Sequence, residues 1–207
     1  MPEQPILVGR PALLVIDIQR SSFLDDYDKG IPMMPGCRDN MYRGRHVIDA
    51  ARSNGLPVIF FQEAHRPDMI DFGRELDGTE GVHCVEGRIG TEVAVAETGF
   101  RPDDYFIRKR RYSCFFGTDL EILLKGLKAE TLILIGGMTD VCVHYTFVDG
   151  HQHDYYCRVV RDCVGGTSPE AHQAASNAME YLQTGAVRTS NDVIVAMGQV
   201  QDARASR

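Results

Sequence analysis

Residues 131–142 read Thr-Leu-Ile-Leu-Ile-Gly-Gly-Met-Thr-Asp-Val-Cys, and the order of their chemistry predicts strand, turn and helix in succession. The uncharged run 131–135 suits a strand buried on both faces. Gly136-Gly137 ends it, and a helix is expected over about 140–149, with Thr139 as its cap. A continuous apolar strand, as opposed to an alternating one, belongs in a parallel sheet whose faces are both covered by helices.

The same unit recurs to either side. Residues 12–16 form another apolar run, closed by Asp17. A helix over about 39–53, stopped by Asn54-Gly55, precedes a strand at 57–62. A third strand at 105–109 leads to a helix that Thr118-Asp119 would cap and that runs to about Leu127. Beyond residue 142 come a strand at 156–161, a helix over 168–183 opened by Ser-Pro-Glu, a short strand near 186–189 and a last helix. No internal repeat or linker interrupts this alternation. It predicts one α/β domain over residues 1–207: a doubly wound, mostly parallel six-stranded sheet with helices on both faces.

Composition narrows the function. The chain has 207 residues, 43% of them hydrophobic and 25% charged, which excludes disorder as the main state. Twenty-nine acidic against 22 basic residues give a net charge of −7, unlike a surface built for nucleic acid. No apolar run approaches the ~18 residues of a membrane span, and the start lacks a basic leader, so a cytoplasmic protein is expected. Six cysteines, with no Cys-x-x-Cys pair, fit a reducing compartment, and Cys37, Cys114, Cys157 and Cys163 read as small buried hydrophobes.

In a doubly wound sheet, ligands bind beyond the carboxyl ends of the strands. Three groups emerge there: Asp17 after the first strand, Lys109 at the end of the third, and Cys142 after the fourth. Cys142 falls in the first turn of its helix, where unpaired N–H groups and the helix dipole favour a thiolate and can hold an oxyanion. Asp17 fits two readings, a desolvated general base or a cap for the segment beginning at Ile18. Lys109 lies in the basic run 108–111, which a solvated face or a nuclear signal would also explain. Strand alternation puts Ile107 and Lys109 on one side and Arg108 on the other, and residues 105–107 are too apolar for an exposed signal.

Asp17 in LLVIDIQRSSF, Lys109 in KRRYSCFFGTDL and Cys142 in LILIGGMTDVCVHYT resemble the isochorismatase-like cysteine hydrolases, over residues 11 to 197. The resemblance implies a catalytic Asp17–Lys109–Cys142 triad and a cis peptide at Gly137–Met138. It also implies an oxyanion hole made by the backbone N–H groups of Met138 and Cys142. Isochorismatases proper lack the cysteine, so vinyl-ether hydrolysis is not expected. Nicotinamidases carry a metal-binding Asp and two His after the second strand, whereas residues 63–71 here hold one, His65. No metal and no cofactor is therefore expected. His65 is read as structural or substrate-facing, with Asp68 and Asp71 the ligands to examine beside it if a metal were found, and the His83-Cys84 spacing fits no compact site. Residues 72–78 and 81–84 resemble the ureido-amide branch, which contains biuret and triuret hydrolases with N-carbamoylsarcosine amidase nearby.

The expected activity is cysteine-dependent hydrolysis of a small linear ureido amide, with ammonia leaving and a thioester on Cys142. Phe23, Arg111, Tyr112 and Gln183 are the candidate substrate contacts, each also readable as core, ion pair or solvated surface. The partners expected are the amide and further copies of the chain, a dimer or tetramer, with neither nucleic acid nor membrane. A nicotinamidase or an N-carbamoyl amino acid amidase is the alternative within the family. Outside it stand a non-catalytic binding protein, which would be expected to have lost one of the three residues, and a thiol redox protein, for which the nearest cysteine along the chain is Cys157.

Overall fold

Continuous apolar runs become central strands because both of their faces are covered. A computed structural model describes residues 5–205 and contains six strands: β1 (Pro11–Ile16), β2 (Val58–Glu63), β3 (Tyr105–Lys109), β4 (Thr131–Gly137), β5 (Tyr156–Gly165) and β6 (Val187–Arg188). All pair in parallel, in the order β3-β2-β1-β4-β5-β6. Every residue of β1, β2 and β4 is buried. At the edge, only Ile107 and Lys109 of β3 are buried, as the alternation requires.

Side chains alternate between two cores. Leu13, Val15, Val58, Phe60, Ile133 and Ile135 meet helix α1 (Cys37–Ser53) and the last helix on one face. Leu14, Ile16, Ile59, Phe61, Leu132 and Leu134 point the other way. They meet Leu120 and Leu124 of α3 (Leu120–Leu127), Phe147 of α4 (His144–Gln152) and Met179 of α5 (Pro169–Leu182). The four-residue α2 (Val95–Thr98) lies ahead of β3, and α6 (Ser190–Ala205) closes the domain. The doubly wound sheet is as expected, and no helix among the described residues is long and apolar enough to cross a membrane.

Several details depart from the expectation. β5 runs on to Gly165, its pairing with β4 shifting register between Leu134 and Gly136. The segment after β4 is a π-helical turn, Thr139–Val143, and the α-helix starts only at His144. Thr139 is not its cap: the side-chain hydroxyl instead pairs with His172 Nδ1 at 2.9 Å. Ser168 does cap α5, accepting the Ala171 N–H, and Pro169 opens the helix.

Candidate active site

The sheet order reverses between β1 and β4, and a crevice opens at the carboxyl ends of strands at such a switch point. Asp17 leaves β1 with φ at +50°, a left-handed turn that Asp tolerates, and its carboxylate accepts the Glu63 N–H at 2.8 Å. Across from it, Gly136 has φ +115°, and a Cβ there would lie 1.9 Å from the Ile16 carbonyl oxygen, so only glycine lets β4 run this close to β1. The Gly137–Met138 peptide is cis, as the resemblance implied.

Lys109 reaches this crevice from the sheet edge. Its side chain is completely buried and its ammonium lies 2.8 Å from Asp17 Oδ2 and 2.5 Å from Glu63 Oε2. It also donates to the Arg111 carbonyl at 3.0 Å and lies 3.5 Å from Cys142 Sγ. The three residues predicted from sequence are thus brought together. A fourth, Glu63, was missed. It is the last residue of β2 and the register partner of Lys109, and it accepts the Cys142 thiol at 3.3 Å. The rule that picked out Asp17 and Cys142, a reactive side chain at the carboxyl end of an apolar strand, finds Glu63 when it is applied to β2 as well.

The two carboxylates differ in basicity. Burial pushes the Asp17 carboxyl up to about 6 against the pull of Lys109. Burial acts on Glu63 too, but Lys109, His65 and His83 overcome it and hold its carboxyl well below the usual range. Asp17 is therefore the better proton acceptor and Glu63 the more permanent anion. The expectation of a thiolate stabilised by a helix end is corrected. Burial drives the Cys142 thiol well above its ordinary value, with Lys109 opposing, so the resting sulfur keeps its proton until a base takes it.

The loop after β2 returns to the site. His65 N–H donates to the Cys84 carbonyl at 2.7 Å and Glu86 N–H to the His65 carbonyl at 2.8 Å, which sets His83 beside His65. His65 Nε2 lies 3.0 Å from Glu75 Oε2 and 3.5 Å from Glu63 Oε1. His83 Nε2 lies 3.1 Å from Glu63 Oε1 and 3.8 Å from Glu75 Oε2. These separations bracket the ~3.4 Å edge of a tetrahedron with ~2.1 Å bonds to a central cation. Among the described residues, neither His65 Nε2 nor the Glu75 oxygens make a well-aligned hydrogen bond, and a bound cation would satisfy the ring nitrogen and one of those oxygens. The residues present therefore fit a divalent transition metal. The expectation against a metal rested on a single histidine, and its premise fails because His83 completes the pair from further along the loop. Asp68 takes no part: it is exposed and accepts the Ile70 N–H. Asp71 lies 3.6 Å from His65 Nδ1 but is held by Arg66.

A cavity of about 40 Å3 sits over the sulfur, with Asp17, Glu63, Glu80, Tyr112, Met138 and Cys142 in its wall. A wider groove of about 820 Å3 lies at the opposite end of the sheet, between residues 5–11 and α6, away from Asp17, Glu63, Lys109 and Cys142. Among the four expected substrate contacts, Tyr112 lines the small cavity and donates its hydroxyl to Glu80 at 2.8 Å. The other three do not line it. A short 3-10 turn, Arg20–Ser22, carries Ser21 and Ser22 to the cavity and turns Phe23 toward α1, edge-on to Tyr42 at 4.9 Å. Arg111 points its guanidinium at the carbonyls of Asp71 and Arg110. Gln183 lies at the opposite rim, accepting the Cys157 N–H at 3.0 Å and donating to the Tyr155 carbonyl at 2.9 Å. The topology dictates this correction, because a crossover helix that leaves the carboxyl rim must end where the next strand begins.

Comparison with known proteins agrees with this geometry. The isochorismatase domain model matches residues 11–192. A ureidoacrylate amidohydrolase of Caulobacter segnis is 27% identical, covering 95% of this chain and 89% of its own. The crystal structure of an isochorismatase-like hydrolase from Alkaliphilus metalliredigens superposes with TM-score 0.78 at 27% identity, over 91% of this chain and 99% of that one. A pyrazinamidase of Pyrococcus horikoshii, crystallised in complex with zinc, superposes with TM-score 0.73 at 26% identity, over 87% and 98%. With matched residues spanning all six strands and every group at the crevice, the chain belongs to the isochorismatase family of hydrolases.

Proposed function

We propose that the chain is a cysteine-dependent amidohydrolase that cleaves a C–N bond of a small linear ureido amide and releases ammonia. The observation that carries this reading is one buried ammonium, Lys109, touching the Asp17 carboxylate at 2.8 Å and the Cys142 sulfur at 3.5 Å, with both partners in the wall of a small cavity. Asp17 takes the thiol proton as the sulfur attacks the amide carbonyl. The backbone N–H groups of Met138 and Cys142 receive the developing oxyanion. Ammonia leaves with the proton from Asp17, and water then hydrolyses the thioester. Lys109, anchored by Glu63, keeps the carboxylate and sulfur in register throughout. A divalent cation held by Glu63, His65, Glu75 and His83 would supply Lewis-acid polarisation at the cavity wall.

The likeness to a ureidoacrylate amidohydrolase favours a ureido substrate. A second reading, a nicotinamidase, is favoured by the four-donor cluster and by the fold shared with the zinc-bound pyrazinamidase. Ammonia release from triuret, biuret, N-carbamoyl amino acids and nicotinamide, with and without iodoacetamide, tests the proposal. The highest kcat/KM is expected for a ureido compound and should vanish on alkylation. A higher value for nicotinamide would favour the second reading, and ammonia release indifferent to alkylation would refute both.

A further inference from the structure

The cavity wall presents acceptors and negative charge, an asymmetry that the acylation steps do not use. Glu80 stands on one side. Its Oε2 accepts the Tyr112 hydroxyl at 2.8 Å and lies 3.9 Å from His83 Nε2, while nothing among the described residues donates to its Oε1. Gln19 also lines the cavity and has spent its amide nitrogen on the carbonyls of Glu63, at 3.1 Å, and Thr91, at 2.7 Å. Its Oε1 remains as an acceptor; among the described residues only the Cys84 thiol approaches it, at 3.9 Å.

The positive groups nearby are already engaged. Lys109 is buried between Asp17 and Glu63, and the Arg111 guanidinium turns away toward backbone carbonyls. Asp17, Glu63, Glu75 and Glu80 thus face one ammonium and the imidazoles of His65 and His83.

We propose that Glu80 is a specificity-determining residue, which admits small uncharged amides rich in N–H groups and turns away amides that carry a carboxylate. This rests on Cys142 being the reactive nucleophile. An N–H-bearing substrate gives Glu80 Oε1 and Gln19 Oε1 the donors they lack, whereas a carboxylate would meet Glu80 as a like charge, with Lys109 already held between two carboxylates. The size agrees, since about 40 Å3 admits only a few water-sized groups.

Alkylation of Cys142 reads the charge of the cavity without requiring turnover. Iodoacetamide and iodoacetate both place a thioether on Sγ and release iodide, and they differ only in amide against carboxylate. The ratio of their rate constants at the Cys142 peptide, divided by the ratio for glutathione at the same pH, is measured for the wild type and for Glu80→Gln, which keeps an acceptor for Tyr112. The wild type should prefer iodoacetamide by about tenfold or more, and the variant should lose about threefold or more of that preference. A wild-type ratio near one overturns the selectivity whether or not the variant folds, and an unchanged ratio in a folded variant overturns the role of Glu80. Ammonia release from malonamide and malonamate is run alongside. Equal, Cys142-dependent turnover of the two would overturn the selectivity and leave the hydrolase standing. No alkylation and no ammonia would overturn the hydrolase reading, and this inference with it.

Discussion

Lys109 Nζ stands 2.5 Å from Glu63 Oε2, closer than its 2.8 Å approach to Asp17 Oδ2. Burial opposes charge on the ammonium, yet Asp17, Cys142 and Glu63 together raise its affinity for the proton well above normal. Glu63 is the member that also holds His83 and receives the Cys142 thiol. Its carboxylate ties the nucleophile to the loop that closes the cavity.

Removing one partner from a buried ion cluster leaves the others uncompensated. Glu63→Gln should therefore cost about 1–3 kcal/mol in urea unfolding, because Asp17 still faces Lys109. Lys109→Ala, which leaves two buried carboxylates unpaired, should cost about 3–5 kcal/mol. A Glu63→Gln penalty larger than that of Lys109→Ala would mean that the cluster is organised around the carboxylate and not the ammonium.

Asp17→Asn retains shape but loses the proton acceptor. Its kcat should fall about 10²- to 10⁴-fold with the fold intact. A near-normal kcat in Asp17→Asn, paired with an inactive but folded Glu63→Gln, would transfer the base role to Glu63, whose oxygen lies 3.3 Å from the sulfur.

The four-donor cluster predicts thermal stabilisation by added zinc, manganese or iron, because a ligand that binds only the folded chain raises Tm. His83→Ala should abolish that shift. Equal responses of wild type and His83→Ala to each metal would remove the cluster from consideration as a cation site.

What the sequence made legible divides along physical lines. The central strands were readable because burial on both faces demands unbroken apolar runs, and all six residues of β1 and of β2 are buried. Asp17, Lys109 and Cys142 were readable because each lies at or just beyond a strand's carboxyl end. Glu63 was legible by the same rule, since it follows the expected strand 57–62 as Asp17 follows 12–16, but it was read only as the start of the loop compared with the nicotinamidase motif. His83 escaped for a different reason: only the backbone bridge between His65 and Val85 brings it back, and no local periodicity signals that contact. Gln183 was misplaced because helix length says nothing of which rim a helix ends on until the direction of the sheet is applied.

Alkaline pH provides a test of the buried thiols outside the site. Burial pushes Cys37, Cys157 and Cys163 each up to about 12. An unfolded thiol ionises near ~8.5, so above that pH the unfolded chain gives up protons that the folded chain retains. Stability is thus full below about pH 8.5 and is lost as pH rises toward about 12, by up to ~1.4 kcal/mol per pH unit for each thiol. Cys157→Ala should start less stable at neutral pH and lose less between about pH 8 and 11. Parallel urea midpoints for the two proteins across that range would contradict a neutral buried thiol at position 157.

The proposed chemistry stands or falls on Cys142 forming the bond to the substrate carbonyl. The decisive measurement is the rate of ammonia release by Cys142→Ala from the ureido amide that the wild type turns over fastest, with the thermal transition recorded on the same sample. A folded protein whose rate is lower by at least about a thousandfold is expected. Ammonia release at the wild-type rate from a folded Cys142→Ala would contradict the nucleophilic role of this sulfur.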